Sequence, residues 1–162
     1  LKRNKVDVRE PFVKKLIASN PDIIFDIYGY KNNQPIWSND FYDALYKSKM
    51  ALNLSRGKPV KYYSSDRITQ LIGNGLLTFI HKDTMYNNFF SKNEVIFYSN
   101  LSNLSEEIQK FARDDYERKK IAKNGKLKYM KYFNSSIVAE YIINKTFGFK
   151  YKKNKYMWDT NN

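Results

Sequence analysis

Apolar residues recur along this chain in two periods, and the alternation between them predicts its elements. Phe12, Val13, Leu16 and Ile17 fall at helical spacing and predict a helix over Asp7 to Asn20, with Asp7 as cap and Pro11 in the first turn. DIIFDIYG, Asp22 to Gly29, is an apolar run of strand length closed by glycine. After a polar loop from Tyr30 to Ser38, Phe41, Leu45 and Tyr42 mark a helix over Asn39 to Lys49, capped by Ser38 or Asn39. MALNLS, Met50 to Ser55, predicts a strand. Tyr62 to Asn74 predicts a helix with Ile68, Leu71 and Ile72 on one face, stopped by Gly73 and Gly75, and LLTFI, Leu76 to Ile80, predicts the next strand.

The second half continues the pattern. Lys82 to Phe90 reads as a short helix or irregular turn, and EVIFYSN, Glu94 to Asn100, as a strand. Leu104 to Arg113 is an amphipathic helix introduced by Ser102 or Ser105, with Glu106 and Glu107 in its first turn. Tyr116 to Phe133 is a long basic helix, interrupted near Asn124 and Gly125, and Ser135 to Phe147 a further helix. Gly148 to Asn162 has no period and reads as a strap over the domain or a partly disordered end. Strands alternating with helices predict an α/β fold: a Rossmann-like, three-layer domain on a parallel sheet with right-handed crossovers.

Composition narrows the classes. At 162 residues the chain fits one domain with a real core, and with no cysteine it has neither disulfides nor thiolate metal sites. No metal site or cofactor is expected. No run of about 18 apolar residues predicts a membrane span, and no signal peptide is visible. The chain begins with Leu1 rather than Met, which reads as a fragment or a processed product. Its 29 Lys and Arg against 16 Asp and Glu give a formal charge of +13. The cations are scattered and accompany heavy use of Asn, Ile, Tyr and Phe, which argues against nucleic acid. A solvated basic surface and attraction to an anionic membrane both remain open.

One stretch carries chemistry. Ser64, Ser65 and Asp66 offer cap side chains to a helix that begins soon after a strand, where open α/β sheets place their ligands. Unpaired N–H groups there suit a phosphate, and Arg67, one residue inside, adds a forked cation. His81, the only histidine, ends a strand near this crevice and reads as structural rather than catalytic; no catalytic residue is assigned.

The ordered series LNLSR, SSDRITQLIGNGLLTFI and EVIFYSNLSNLSEEIQKFARDDYERKKIAKNGKLKYMKYFN resembles the C-terminal, donor-binding half of GT-B glycosyltransferases. Within them it is most similar to the group 1 branch related to spore maturation protein CgeB. The closing R-x-x-I-A-x-x-G piece of that pattern is Arg118, Ile121, Ala122 and Gly125. The resemblance implies a nucleotide-sugar-binding domain over residues 1–147 and a basic, aromatic tail over 148–162. It assigns Ser64, Ser65, Asp66, Arg67 and Arg56 to the donor diphosphate, and Gln70 to the ribose hydroxyls, where many relatives carry glutamate. It assigns Tyr30, Ile36 and Trp37 to the base, and puts Arg3, Lys5 and Arg9 in a region where related enzymes keep diphosphate cations. The implied partners are a nucleotide-sugar, a glycan or lipid-linked acceptor at the cell surface, and an N-terminal GT-B domain outside this chain. The implied location is the cytoplasm, with peripheral contact at the inner membrane face. The competing class is a non-catalytic basic α/β module that docks on membrane, protein or nucleic acid.

Overall fold

The computed structural model describes residues 9–63, 65–152 and 155–159. Three strands, β1 (Met50–Asn53), β2 (Leu77–His81) and β3 (Ile96–Tyr98), form a parallel sheet in the order β1-β2-β3. Met50 pairs with Leu77 and Phe79 with Ile96, so the three carboxyl ends open on one edge. Among the described residues six α-helices accompany it: α1 (Arg9–Ala18), α2 (Ser38–Lys47), α3 (Asp66–Gly73), α4 (Leu101–Arg113), α5 (Asp115–Tyr132) and α6 (Ser135–Phe147). The α/β class predicted from the alternating periods is the class observed.

The two-residue period of the strands sorts the core onto both faces of the sheet. Leu77 and Phe79 with Ile96 and Tyr98 turn to one face, where Leu16 of α1 and Leu104, Ile108 and Phe111 of α4 cover them. Ile80 turns the other way, onto Ile68 and Ile72 of α3, and Leu45 of α2 packs with Leu71 and Leu76 on that side. Each such side chain contributes roughly 1.5–3 kcal/mol when fully buried. Asn20 links α1 to α4 from inside the core. Its amide donates to Leu16 O at 2.8 Å while its Oδ1 accepts from Ser105 and Gln109.

Helix α5 closes the amino ends of the strands, away from the open edge. Its buried residues are Arg118, Ile121, Ala122 and Gly125, the positions of the closing motif. Arg118 donates to Lys49 O at the foot of β1 and to Asp115. A Cβ on Gly125 would stand 2.2 Å from the carbonyl oxygen of Glu94, so glycine lets the helix lie against the start of β3. The predicted interruption near Asn124 and Gly125 does not exist. The helix runs through because Gly125 is used for close approach, not as a stop.

Three other elements depart from expectation, while the described part of the tail packs as a strap would. Asp22 to Gly29 is not a strand of the sheet. Residues 24–28 form no regular element and pair with no described strand, and Ile23 and Phe25 pack on the core while Ile24 is 90% exposed. The segment alternates like a strand because one side rests on the core, yet β1 remains the edge of the sheet. Helix α4 starts earlier than predicted: Asn100 Oδ1 accepts from the N–H of Asn103 at 2.9 Å, which leaves Glu106 and Glu107 beyond the first turn. Trp37, not Ser38 or Asn39, occupies the cap position of α2, without a side-chain cap bond, and Tyr42 points to solvent rather than inward. The described part of the tail is packed. Tyr156 is buried against Tyr141 and Trp158, Trp158 leans on Phe133, and Lys145 pairs with Asp159 at 3.0 Å.

Candidate functional site

The carboxyl end of β1 and the start of α3 meet at Arg67. Its Nη1 donates to the carbonyl oxygen of Leu54 at 2.7 Å and to Oδ1 of Asn53 at 3.2 Å. Asn53 is the last residue of β1 and is buried, so a buried amide and a main-chain carbonyl fix the direction of the guanidinium. Burial lowers the pKa of Arg67, and the cation of Arg9 lowers it further, while Tyr63 opposes both. Arg9 of α1 is near enough for its cation to act on Arg67, so two arginine charges share this neighbourhood with the amino end of α3. Such convergence concentrates positive potential on one spot at the open edge of the sheet.

Ser65 stands at the cap position of α3 in extended backbone and makes no side-chain cap bond. Asp66 is the first helical residue and is exposed. Ser64 lies outside the described residues. Gln70 follows Arg67 by three positions, which places it on the same side of the helix one turn on, half-buried. Its main-chain carbonyl accepts from Asn74 at 2.7 Å, and its side chain makes no hydrogen bond to a described residue. Arg56 is exposed on the loop after β1.

The three residues assigned to the base lie on the segment between α1 and α2. The Tyr30 hydroxyl is buried and makes no hydrogen bond to a described residue. It lies near Lys14 of α1, whose pKa is raised first by its bond to Glu10 and then by Tyr30. Helix α1 runs between the two groups, with Arg9 near enough to act on the charge of Arg67 and Lys14, about 7.5 Å along the axis and paired with Glu10, on the side of Tyr30. Ile36 is half-buried, and Trp37 is 70% exposed.

His81 ends β2 as expected but serves the turn that follows. Its Nδ1 accepts from the N–H of Asp83 at 3.2 Å, and its ring meets Tyr98 edge-on. An open depression of about 500 Å³ lined by Glu94, Asn124, Lys128 and Tyr132 lies between α5 and the start of β3, away from this edge. Among the described residues no group of His, Cys, Asp and Glu could hold a metal ion.

Residue reading left Asn53 unassigned and Arg9 unplaced. The signal for Asn53 was a polar residue ending an apolar strand, and it acts by aiming Arg67. Arg9 precedes the first predicted loop by some twenty residues, and only the packing of α1 brings it to Arg67.

A family model described as glycosyl transferase-like matches residues 4–144. The chain belongs to that family. A search of curated proteins and of solved structures finds no significant match. The matched span takes in α1 through α5 and nearly all of α6, so it covers both the arginine pair and the glycine-closed α5.

Proposed function

We propose that this glycosyl transferase-like domain binds the nucleotide-sugar donor of a glycosyl transfer, in the manner of the C-terminal half of a GT-B enzyme of the CgeB-like branch. The observation that carries the reading is Arg67, aimed by Asn53 and Leu54 at the carboxyl edge of the sheet with Arg9 beside it. A diphosphate is the ligand that two forked cations and a helix amino end suit.

In this reading Arg67, Arg9 and the N–H groups of Ser65 and Asp66 hold the diphosphate, with Arg56 contributing from the loop after β1 and Ser64 assigned to the same group. Gln70 takes the ribose hydroxyls one helical turn away. Tyr30, Ile36 and Trp37 receive the base at the far side of α1, where the Tyr30 hydroxyl bonds to no described residue. Catalysis is electrostatic. As the acceptor hydroxyl attacks the anomeric carbon, the bond to the diphosphate breaks and the departing negative charge is stabilised by the same cations and dipoles. The acceptor, a glycan or lipid-linked saccharide of the cell surface, and the residue that takes its proton belong to an N-terminal domain in the same reading, and no metal is required.

The test is a calorimetric titration of the chain with UDP, GDP, ADP and CMP. Saturable binding of one nucleoside diphosphate, weakened in Arg67→Ala and Gln70→Ala, supports the donor site. Folded protein that binds none of them removes it and leaves the non-catalytic docking module.

A further inference from the structure

Helix α6 is built with its faces reversed. Its two charged residues, Glu140 and Lys145, turn toward the tail and are spent there on Lys155 and Asp159, while Tyr141 and Asn144 meet Tyr156. The opposite face carries Val138, Ala139, Ile142, Ile143, Thr146 and Phe147 at helical spacing, with no charge. Ile142 is 57% exposed and Phe147 68%. The face continues past the helix, since the ring of Phe149 stacks on Phe147 with centroids 5.8 Å apart. Lys150 and Lys152 follow at once, exposed and without an ion pair to a described residue.

We propose that this face lies in the surface of an anionic lipid bilayer. Charge complementarity favours that occupant: a chain of formal charge +13 sets two exposed lysines that pair with no described residue directly after Phe149, where the aliphatic and phenyl face ends. The face offers little that could fix the register of a protein partner, since its hydroxyls are confined to Ser135 and Ser136 at its start and Thr146 near its end. At 13 residues α6 is about 20 Å long, too short to span a hydrocarbon core of about 30 Å, and among the described residues no helix is long and apolar enough to cross. It can lie in the interface, with its apolar side down and the Tyr141–Tyr156–Trp158 packing above. The proposal rests on α6 and the tail, not on the donor-site reading.

The experiment is co-flotation of the full 162-residue chain with vesicles of phosphatidylcholine alone and of phosphatidylcholine mixed with phosphatidylglycerol. The chain floats with the anionic vesicles, less at high salt and little with neutral ones. Lys150→Ala and Lys152→Ala each weaken the partition about fivefold. Ile142→Glu and the milder Ile142→Ser weaken it about tenfold or more, with unchanged circular dichroism and nucleotide response. Absence from both kinds of vesicle, or flotation that survives Ile142→Glu, overturns the proposal. So does a concentration-dependent dimer that Ile142→Glu disperses without any flotation, which would assign the face to a second copy.

Discussion

The guanidinium of Arg67 donates to the carbonyl oxygen of Leu54 at 2.7 Å, which ties the first turn of α3 to the residue just past β1. A charged donor on a main-chain acceptor contributes roughly 1.5–3 kcal/mol. Two effects therefore separate on substitution. Arg67→Ala loses about 1–2 kcal/mol of stability in urea unfolding, because Asn53 is left buried with one partner fewer. It also raises the dissociation constant of the preferred nucleoside diphosphate about 10- to 100-fold by calorimetry. Arg56→Ala, on the exposed loop, has the smaller effect on both. Equal affinity in wild type and Arg67→Ala would remove this arginine from the site.

Gly125 and Gly73 make a paired test of what each glycine is for. Gly125→Ala forces a methyl group to within 2.2 Å of a main-chain oxygen, and it destabilises by about 1–3 kcal/mol or more while leaving nucleotide binding unchanged in the folded fraction. Gly73, also helical, has nothing within 4 Å of an added Cβ. Gly73→Ala stabilises by about 0.4–1 kcal/mol through the lost freedom of the unfolded chain. Chemical denaturation midpoints of the two variants should move in opposite directions.

The elements most legible in the sequence were those whose period matched their burial. The α3 face of Ile68, Leu71 and Ile72 is buried as its spacing requires, and β2 lies within one residue of LLTFI. Asp22 to Gly29 misled because apolar alternation reports contact with the core, not a hydrogen-bonded neighbour, and the exposed Ile24 shows that only one side is covered. The helix start at Asn100 was hidden by two serines of equal local merit, and the choice fell to the residue nearest the end of β3. In the site, Arg67 was readable because a helix start and its strand are neighbours in sequence. Arg9 was named only through the resemblance, as one of three cations, and residue spacing could not pair it with Arg67, since its proximity depends on α1 packing through Leu16 on the sheet.

Acid should loosen the foot of the sheet before it reaches the arginine pair. Asp115 bonds first to Lys119 and then to Arg118, and these hold its pKa down at about 2, against 3.8 ordinarily. A carboxylate whose folded pKa is depressed gives stability that is fully present above its unfolded value and is lost as pH falls through the folded value. The contribution of Asp115 is therefore intact above about pH 4 and drains away toward pH 2. In Asp115→Asn the urea midpoint should be lower than wild type at pH 6, and the two should converge as pH approaches 2. A constant gap across that range would show that the contribution of Asp115 does not come from its ionised carboxylate.

The two tryptophans report on opposite parts of the molecule, which allows the base assignment to be read optically. Trp158 packs with Phe133, Tyr141 and Tyr156 in the tail, whereas Trp37 is 70% exposed at the start of α2. In Trp158→Phe the remaining emission comes from Trp37 alone and should be red-shifted, as a hydrated indole requires. Stacking of a nucleobase on that ring, worth about 1–3 kcal/mol, should quench it saturably with the calorimetric dissociation constant. Trp37→Ala should then weaken the nucleotide about 5- to 100-fold without altering its dependence on Arg67. If the nucleotide binds and the Trp37 emission does not change, the base lies elsewhere, and Tyr30, whose hydroxyl bonds to no described residue, becomes the residue to substitute next.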